Sequence, residues 1–254
     1  MSLSVLLPPQ PASYLLLGSL PLLVLSESNS RSHAGTGLFK MLSSVAFVAG
    51  PAILTTTEWV PYRQLITTGL AFSTIGDFFL IPSGRDFYAS KKEKKKQPTV
   101  SFQLGVVAFA AAHIAYIAAF LRDSRSTSNP ILATTFLATM ALAKWLGVIY
   151  PPARSSGATN VLNLEVEGEM RPLVSVYAAI ISAMLATAAA TVPGEFQTPW
   201  PYQRVLGAGL FVVSDLFVAL EAFGRGGGKR GWGRILVGYA LYFWGQMVIA
   251  GTVG

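Results

Sequence analysis

The sequence predicts an all-α membrane protein, one bundle of about eight transmembrane helices, and three observations carry that reading. Of the 254 residues, 52% are hydrophobic and only 12% charged, roughly half the charge fraction of a soluble domain. Apolar runs of about 20 residues, enough to cross a bilayer as helix, recur along the whole chain. The basic residues concentrate in alternate loops between those runs, as the positive-inside bias requires. Their placement in loops, despite a net charge of +7, argues against nucleic acid as a partner. The absence of cysteine excludes disulfides and thiolate metal sites. The chain reads as a single polytopic domain over residues 1–254, with no separate soluble domain.

The spans are expected at 12–26, 37–55, 62–82, 101–121, 130–150, 172–192, 201–223 and 233–253. The first is short and interrupted by Pro21, so a re-entrant or interfacial segment is its alternative. No Lys or Arg precedes it, so it lacks the charged start of a secretory signal peptide. After the third span, "SGRDFYASKKEKKKQPT" (83–99) reads as a flexible cytosolic loop that sets orientation and touches anionic lipid. The charged stretch with Glu165, Glu167, Glu169 and Arg171 leads into the sixth span. That span carries small residues at Ala178, Ser182, Ala186 and Ala190, a ridge for close helix packing. Between the last two spans, "GRGGGKRGWGR" (224–234) is a basic, glycine-rich hinge without phosphate-loop spacing.

Loops after spans one, three, five and seven are assigned fourteen Lys and Arg, from Arg31 and Lys40 to Arg234. The opposite loops hold four: Arg63, Arg122, Arg125 and Arg204. With an even number of spans, both termini fall on the lumenal or external face.

Within the apolar runs, two carboxylates stand out. "FSTIGDFFLI" holds Asp77 and "FVVSDLFVAL" holds Asp215, and an Asp near the centre of a spanning helix costs about 2.5–3.5 kcal/mol. Both belong to odd-numbered spans, so their helices run parallel. At 1.5 Å per residue they lie roughly 8 and 12 Å inside the cytosolic boundary. Each follows a small residue, Gly76 or Ser214, and stands close before a Phe, which leaves room for a neighbour beside the carboxyl. Their structural reading is a packing ion pair, with Lys144 at similar depth as the candidate partner. Their functional reading is a shared pathway or catalytic cavity. His113, in mid-membrane, is read as a hydrogen-bonding residue rather than a metal ligand. Tyr116, Tyr177, Tyr239 and Gln246 are candidates to line the same cavity.

Five segments together resemble the YhhN family of integral membrane proteins, which includes the animal lysoplasmalogenases. They are "FSTIGDFFL", "FQLGVVAFAAAHIAYIAAF", "EGEMRPLVSVYAAII", "GAGLFVVSDLFVALEAF" and "YALYFWGQMVIA", in the family's order. The resemblance implies hydrolysis of the vinyl ether of a lysoplasmalogen to a fatty aldehyde and a glycerophospho-base. It implies Asp77 and Asp215 as the catalytic acids. The expected partners are a lysophospholipid substrate (alkenyl-glycerophosphoethanolamine or -choline) and membrane lipids, with no cofactor and no metal. The expected location is an internal membrane such as the endoplasmic reticulum in a eukaryotic host.

That chemistry suits two carboxyls. Protonating the alkene carbon needs a carboxylic acid, and the resulting oxocarbenium ion is stabilised, and its water activated, by a carboxylate. Two acids in one low-dielectric site do not readily ionise together, so one keeps its proton. Either aspartate can take either role; the reading adopted is Asp77 as acid and Asp215 as base. His113 and Gln246 would orient a carboxyl or water, and Lys144 or Arg171 would meet the substrate phosphate. With two histidines in the chain, a histidine-rich zinc hydrolase is unsupported. No G-x-S-x-G elbow is present for a serine lipase, and the Y-D and G-x-G-D motifs of intramembrane aspartyl proteases are missing. The alternative from another class is a lipid-binding or transport protein with the aspartates as a proton relay.

Glycosylation tags at either terminus should both be modified, because both termini are expected to be lumenal. Modification of one terminus alone would show that a span is misassigned.

Overall fold

Helix starts are written into the chain by proline, which loses nothing in a first turn whose N–H groups have no intrahelical partner. Pro11, Pro61, Pro130 and Pro172 occupy such positions in four of the helices. A computed structural model describes residues 4–57, 60–88, 99–149, 160–194, 200–225 and 231–253. It contains α1 (Gln10–Ser28), α2 (His33–Thr57), α3 (Pro61–Phe79), the short α4 (Gly84–Tyr88) and α5 (Val100–Arg122). The strand β1 (Ser124–Thr127), α6 (Asn129–Leu146), α7 (Arg171–Ala190), the strand β2 (Thr191–Pro193), α8 (Gln203–Phe223) and α9 (Trp232–Ala250) complete it.

Thr99 caps α5 by accepting from the Phe102 amide. The helix α6 stops at Gly147, whose φ of 89° is left-handed backbone and whose open side is filled by Asn160.

Every predicted span corresponds to a helix. Five stretches, His33–Thr56, Val100–Arg122, Gly168–Ala190, Gln203–Phe223 and Trp232–Val253, are long and apolar enough to cross a membrane. The helices α1, α3 and α6 have 18–19 residues each; α3 is visibly diluted, carrying Arg63, Gln64, Ser73 and Asp77 among its apolar residues. Four helices end two to four residues before the expected spans do: α3 at Phe79, α6 at Leu146, α7 at Ala190 and α9 at Ala250.

Neighbour contacts run α1–α2–α3–α5–α7–α8–α9 and back to α1, so seven helices close a ring. The helix α9 also touches α2 and α3, while α6 packs on α7 from outside. Leu16, Phe47, Ile66, Leu70, Tyr116, Phe120, Met184, Phe211 and Phe243 form one continuous core. The small ridge of α7 is buried as expected: Ala178, Ser182, Ala186 and Ala190 all lie inside. Large apolar side chains such as Leu17, Ile53, Phe78, Leu137 and Val176 face outward, an exterior suited to hydrocarbon rather than water.

The two ends of the bundle are distinct. At one end β1 pairs antiparallel with β2, and Gln203 at the start of α8 bonds to both backbone polar groups of Leu6 and to the Val248 carbonyl. The N-terminal stretch and the end of α9 therefore lie together there. Arg204 is buried at this end in an ion pair with Asp123, beneath the Tyr62 ring and hydroxyl. At the opposite end His33 Nε2 meets the Pro82 carbonyl at 2.7 Å, and the Glu165 amide donates to the Phe223 carbonyl. A second apolar cluster of Leu164, Val166, Met170 and Phe223 seals it.

The charge assignment needs correction at three residues. Lys40 on α2, Arg63 on α3 and Arg204 on α8 belong to no loop: each lies within its helix and is buried. The lysine-rich stretch 89–98, the glycine-rich 226–230 and Arg154 lie outside the described residues.

Arg204→Met removes one partner of a buried pair and should lower stability by about 3–5 kcal/mol. Adding Asp123→Asn should restore much of it, measured by denaturant unfolding in detergent. Additive losses in the double variant would show that the pair is not coupled.

Candidate functional site

Asp77 sits two residues before the end of α3, on the face that carries Ile66, Gly69, Ser73 and Gly76 inward. Those glycines matter for their missing side chains. A Cβ at Gly76 would come within 2.7 Å of the Phe109 ring, and one at Gly69 would collide with the Tyr116 ring. The space beside the carboxyl that the small residue opens is thus occupied by an aromatic from α5.

The Asp77 carboxyl is 2% exposed and surrounded by donors. Ser44 Oγ and Tyr242 Oη each donate to Oδ2 at 2.7 Å, and Lys40 Nζ stands 3.6 Å from Oδ1. Three helices therefore meet at this carboxyl, with α2 supplying two partners to the α3 aspartate and α9 one. The spacing of Lys40 and Ser44 is one helical turn, which puts both on one face of α2. One turn earlier in α3, Ser73 accepts from Gln246 Nε2 at 3.0 Å, and Gln246 Oε1 accepts from the Tyr116 hydroxyl at 2.8 Å.

Asp215 is set differently. Tyr177 on α7 donates its hydroxyl to Oδ2 at 2.6 Å, and His113 Nε2 lies 3.2 Å from the same hydroxyl. Because the tyrosine proton goes to Asp215, the imidazole Nε2 is the donor to tyrosine. The three form a chain from α5 through α7 to α8. His113 is fully buried, with Nδ1 unpaired. Asp215 itself is partly exposed, beside Leu216 and Phe217.

Aromatic rings connect the two halves. The Tyr242 ring packs 5.3 Å from Phe211, and Phe211 packs edge-on at 4.5 Å from His113. Phe109 touches both Tyr242 and Phe211. Contacts thus run without a break from Asp77 through Tyr242, Phe211, His113 and Tyr177 to Asp215.

Of the residues singled out from sequence, Asp77, Asp215, His113, Tyr116, Tyr177 and Gln246 meet in this interior network. Three do not. Tyr239 donates to Glu27 at 2.6 Å, Lys144 is exposed on α6, and Arg171 is exposed at the start of α7, bonding the Val166 carbonyl. The partner of Asp77 is Lys40 and not Lys144, because α6 lies outside the ring while α2 packs directly on α3. Sequence reasoning missed Lys40, Ser44 and Tyr242. Lys40 is readable, since it falls inside the second apolar run; Ser44 and Tyr242 carry no signal that separates them from other hydroxyls.

The YhhN family model matches residues 35–253, which covers every residue of this network. No solved structure matches the chain.

Gly76→Ala should overpack the Phe109 contact and cost about 1–3 kcal/mol. Gly209→Ala on α8, where nothing lies within 4 Å of the added carbon, should be neutral or slightly stabilising. Thermal unfolding in detergent compares them, and equal behaviour would contradict the close α3–α5 contact.

Proposed function

Because the chain belongs to the YhhN family, we propose that it is a lysoplasmalogenase-like ether hydrolase, cleaving the vinyl ether of an alkenyl-glycerophospholipid that lacks its second acyl chain. The observation that carries the reading is the interior network itself. Two aspartates on different helices, each accepting from a tyrosine hydroxyl, are joined by an unbroken line of contacts inside an apolar bundle. Membrane-interior carboxyls are costly and persist where they are paired or used.

In this reading all eight long helices span the bilayer, in an internal membrane in a eukaryotic host, and the alkenyl chain enters from the lipid. Lys144 near the end of α6 and Arg171 at the start of α7 are exposed at one end of the bundle, suited to a phosphate at headgroup level. One aspartate protonates the outer vinyl carbon, the other stabilises the oxocarbenium ion, and water adds to the cationic carbon. The hemiacetal then collapses to aldehyde and glycerophospho-base. The aromatic wall of Phe109, Phe211 and Tyr242 keeps bulk water from the cation and strengthens every charge effect inside it.

Purified protein should release aldehyde from a lysoplasmalogen and none from an ester lysophospholipid. Asp77→Asn and Asp215→Asn should each lower the rate by at least about 100-fold, the lower range of general acid–base contributions. The double variant should be little worse than the worse single variant, because the two act as a unit. Full activity in both single variants would reduce the aspartates to packing residues. Lipid or proton movement across vesicles without aldehyde release would favour the relay reading instead.

A further inference from the structure

The two carboxyls are equivalent in the sequence and unequal in the structure. Asp77 is enclosed, with an ammonium at Oδ1 and two hydroxyl donors at Oδ2. Lys40 is a pure donor with no lone pair to offer, so a proton on Oδ1 would point at a group unable to accept it. The pair is buried on both sides, with side chains 7% and 2% exposed, and a buried charge is tolerated when its partner is present. Asp215 has one donor, Tyr177, at Oδ2. No cation among the described residues pairs with it, and the residue is only partly buried.

We propose that Lys40 fixes Asp77 as the permanent anion of the pair, which leaves Asp215 as the carboxyl that gives up and takes back the proton. This reverses the roles read from the sequence, where Lys40 counts with the loops. It rests on the reading of Asp77 and Asp215 as the working pair of an ether hydrolase.

The groups facing each carboxyl define the assignment. Around Asp77 they are Lys40 and Ser44 on α2 and Tyr242 on α9, while Tyr116 of α5 meets Ser73 one turn away. Around Asp215 they are Tyr177 on α7 and His113 of α5 behind it. Tyr177 donates to Oδ2, so the exchanging proton is assigned to Oδ1, the oxygen without a donor among the described contacts.

The cycle then balances on Asp215 alone. The Oδ1–H bond breaks, and its proton forms a C–H bond with the outer vinyl carbon using the π electrons. Water oxygen bonds to the inner carbon, and one water proton returns to Asp215. In the collapse, Asp215 protonates the glycerol oxygen as the carbon–oxygen bond breaks, and it takes the hemiacetal hydroxyl proton. The net reaction is vinyl ether plus water to aldehyde plus alcohol. Throughout, the Asp77 charge stays in place, stabilises the cation through space, and is itself held by Lys40. Lys40 is thus a positioning residue, acting through Asp77.

Infrared difference spectroscopy of the purified protein at neutral pH tests this without substrate, by the carbonyl stretch of a protonated carboxyl. The wild-type protein should show one such band, shifted in heavy water. Asp215→Asn should abolish it, Asp77→Asn should leave it, and Glu27→Gln, at the separate Tyr239 contact, should also leave it. Lys40→Met should add a second band as Asp77 takes up a proton. Lys40→Met with Asp77→Asn removes both charges together and should melt above Lys40→Met alone. No band in the wild-type protein, or a band lost with Asp77→Asn and kept with Asp215→Asn, would overturn the assignment. If Lys40→Met fails to fold, the two aspartate variants decide alone. Since no hydrolysis is measured, this result stands whatever the aldehyde assay returns, and a failed aldehyde assay counts against the enzymatic reading.

Discussion

A charge inside an apolar bundle must be neutralised where it stands, and the contact of Lys40 with Asp77 does this at the place where α2, α3 and α9 meet. Either charge alone would cost several kcal/mol in such surroundings. Together, with Ser44 and Tyr242 occupying the remaining carboxylate oxygen, they turn a liability into a fixed register between three helices. Lipid tails give helices little apolar reason to associate, so interior polar contacts and close packing carry that task. The rest of the interior follows from it. Gly76, next to Asp77, must be small because Phe109 fills its place, and Phe109 in turn packs on Tyr242 and Phe211.

The opposite end of the bundle uses the same principle for a different purpose. Arg204 and Asp123 pair beneath Tyr62 and Phe120, and Gln203 ties the N-terminal stretch to α9. That end is fastened by a β-ribbon and a buried ion pair. Midway along α8, by contrast, Asp215 is only partly buried and has a single tyrosine donor and no paired cation among the described residues. Two paired polar clusters thus accompany one incompletely paired acid, which is the arrangement expected where a polar group serves chemistry.

Helix positions were legible from the sequence because apolar length and proline placement act locally. The eight long helices of the described residues fall where the apolar runs do, with ends shifted by a few residues. Both aspartates, His113, Tyr116, Tyr177 and Gln246 were legible because each is a polar group in a run that should have few. What stayed hidden depends on which helices touch. Lys40 falls inside the second apolar run, but its pairing with Asp77 becomes visible only when α2 packs on α3. Lys144 is the attractive partner by depth, yet α6 lies outside the ring, and depth without adjacency forms no ion pair. Tyr239 lies one turn before Phe243 on α9 and packs against its ring, but its hydroxyl turns to Glu27 on α1 and so leaves the shared network.

The central claim is that a carboxylic acid in this interior delivers its proton to carbon. Hydrolysis of a lysoplasmalogen in heavy water, with the aldehyde reduced as it forms and analysed by mass spectrometry, tests it directly. Carbon protonation puts one deuterium on the carbon next to the aldehyde carbon, and the account predicts that label in every product molecule. Aldehyde released without it would contradict the account, because the bond would then have broken by a route that bypasses the alkene.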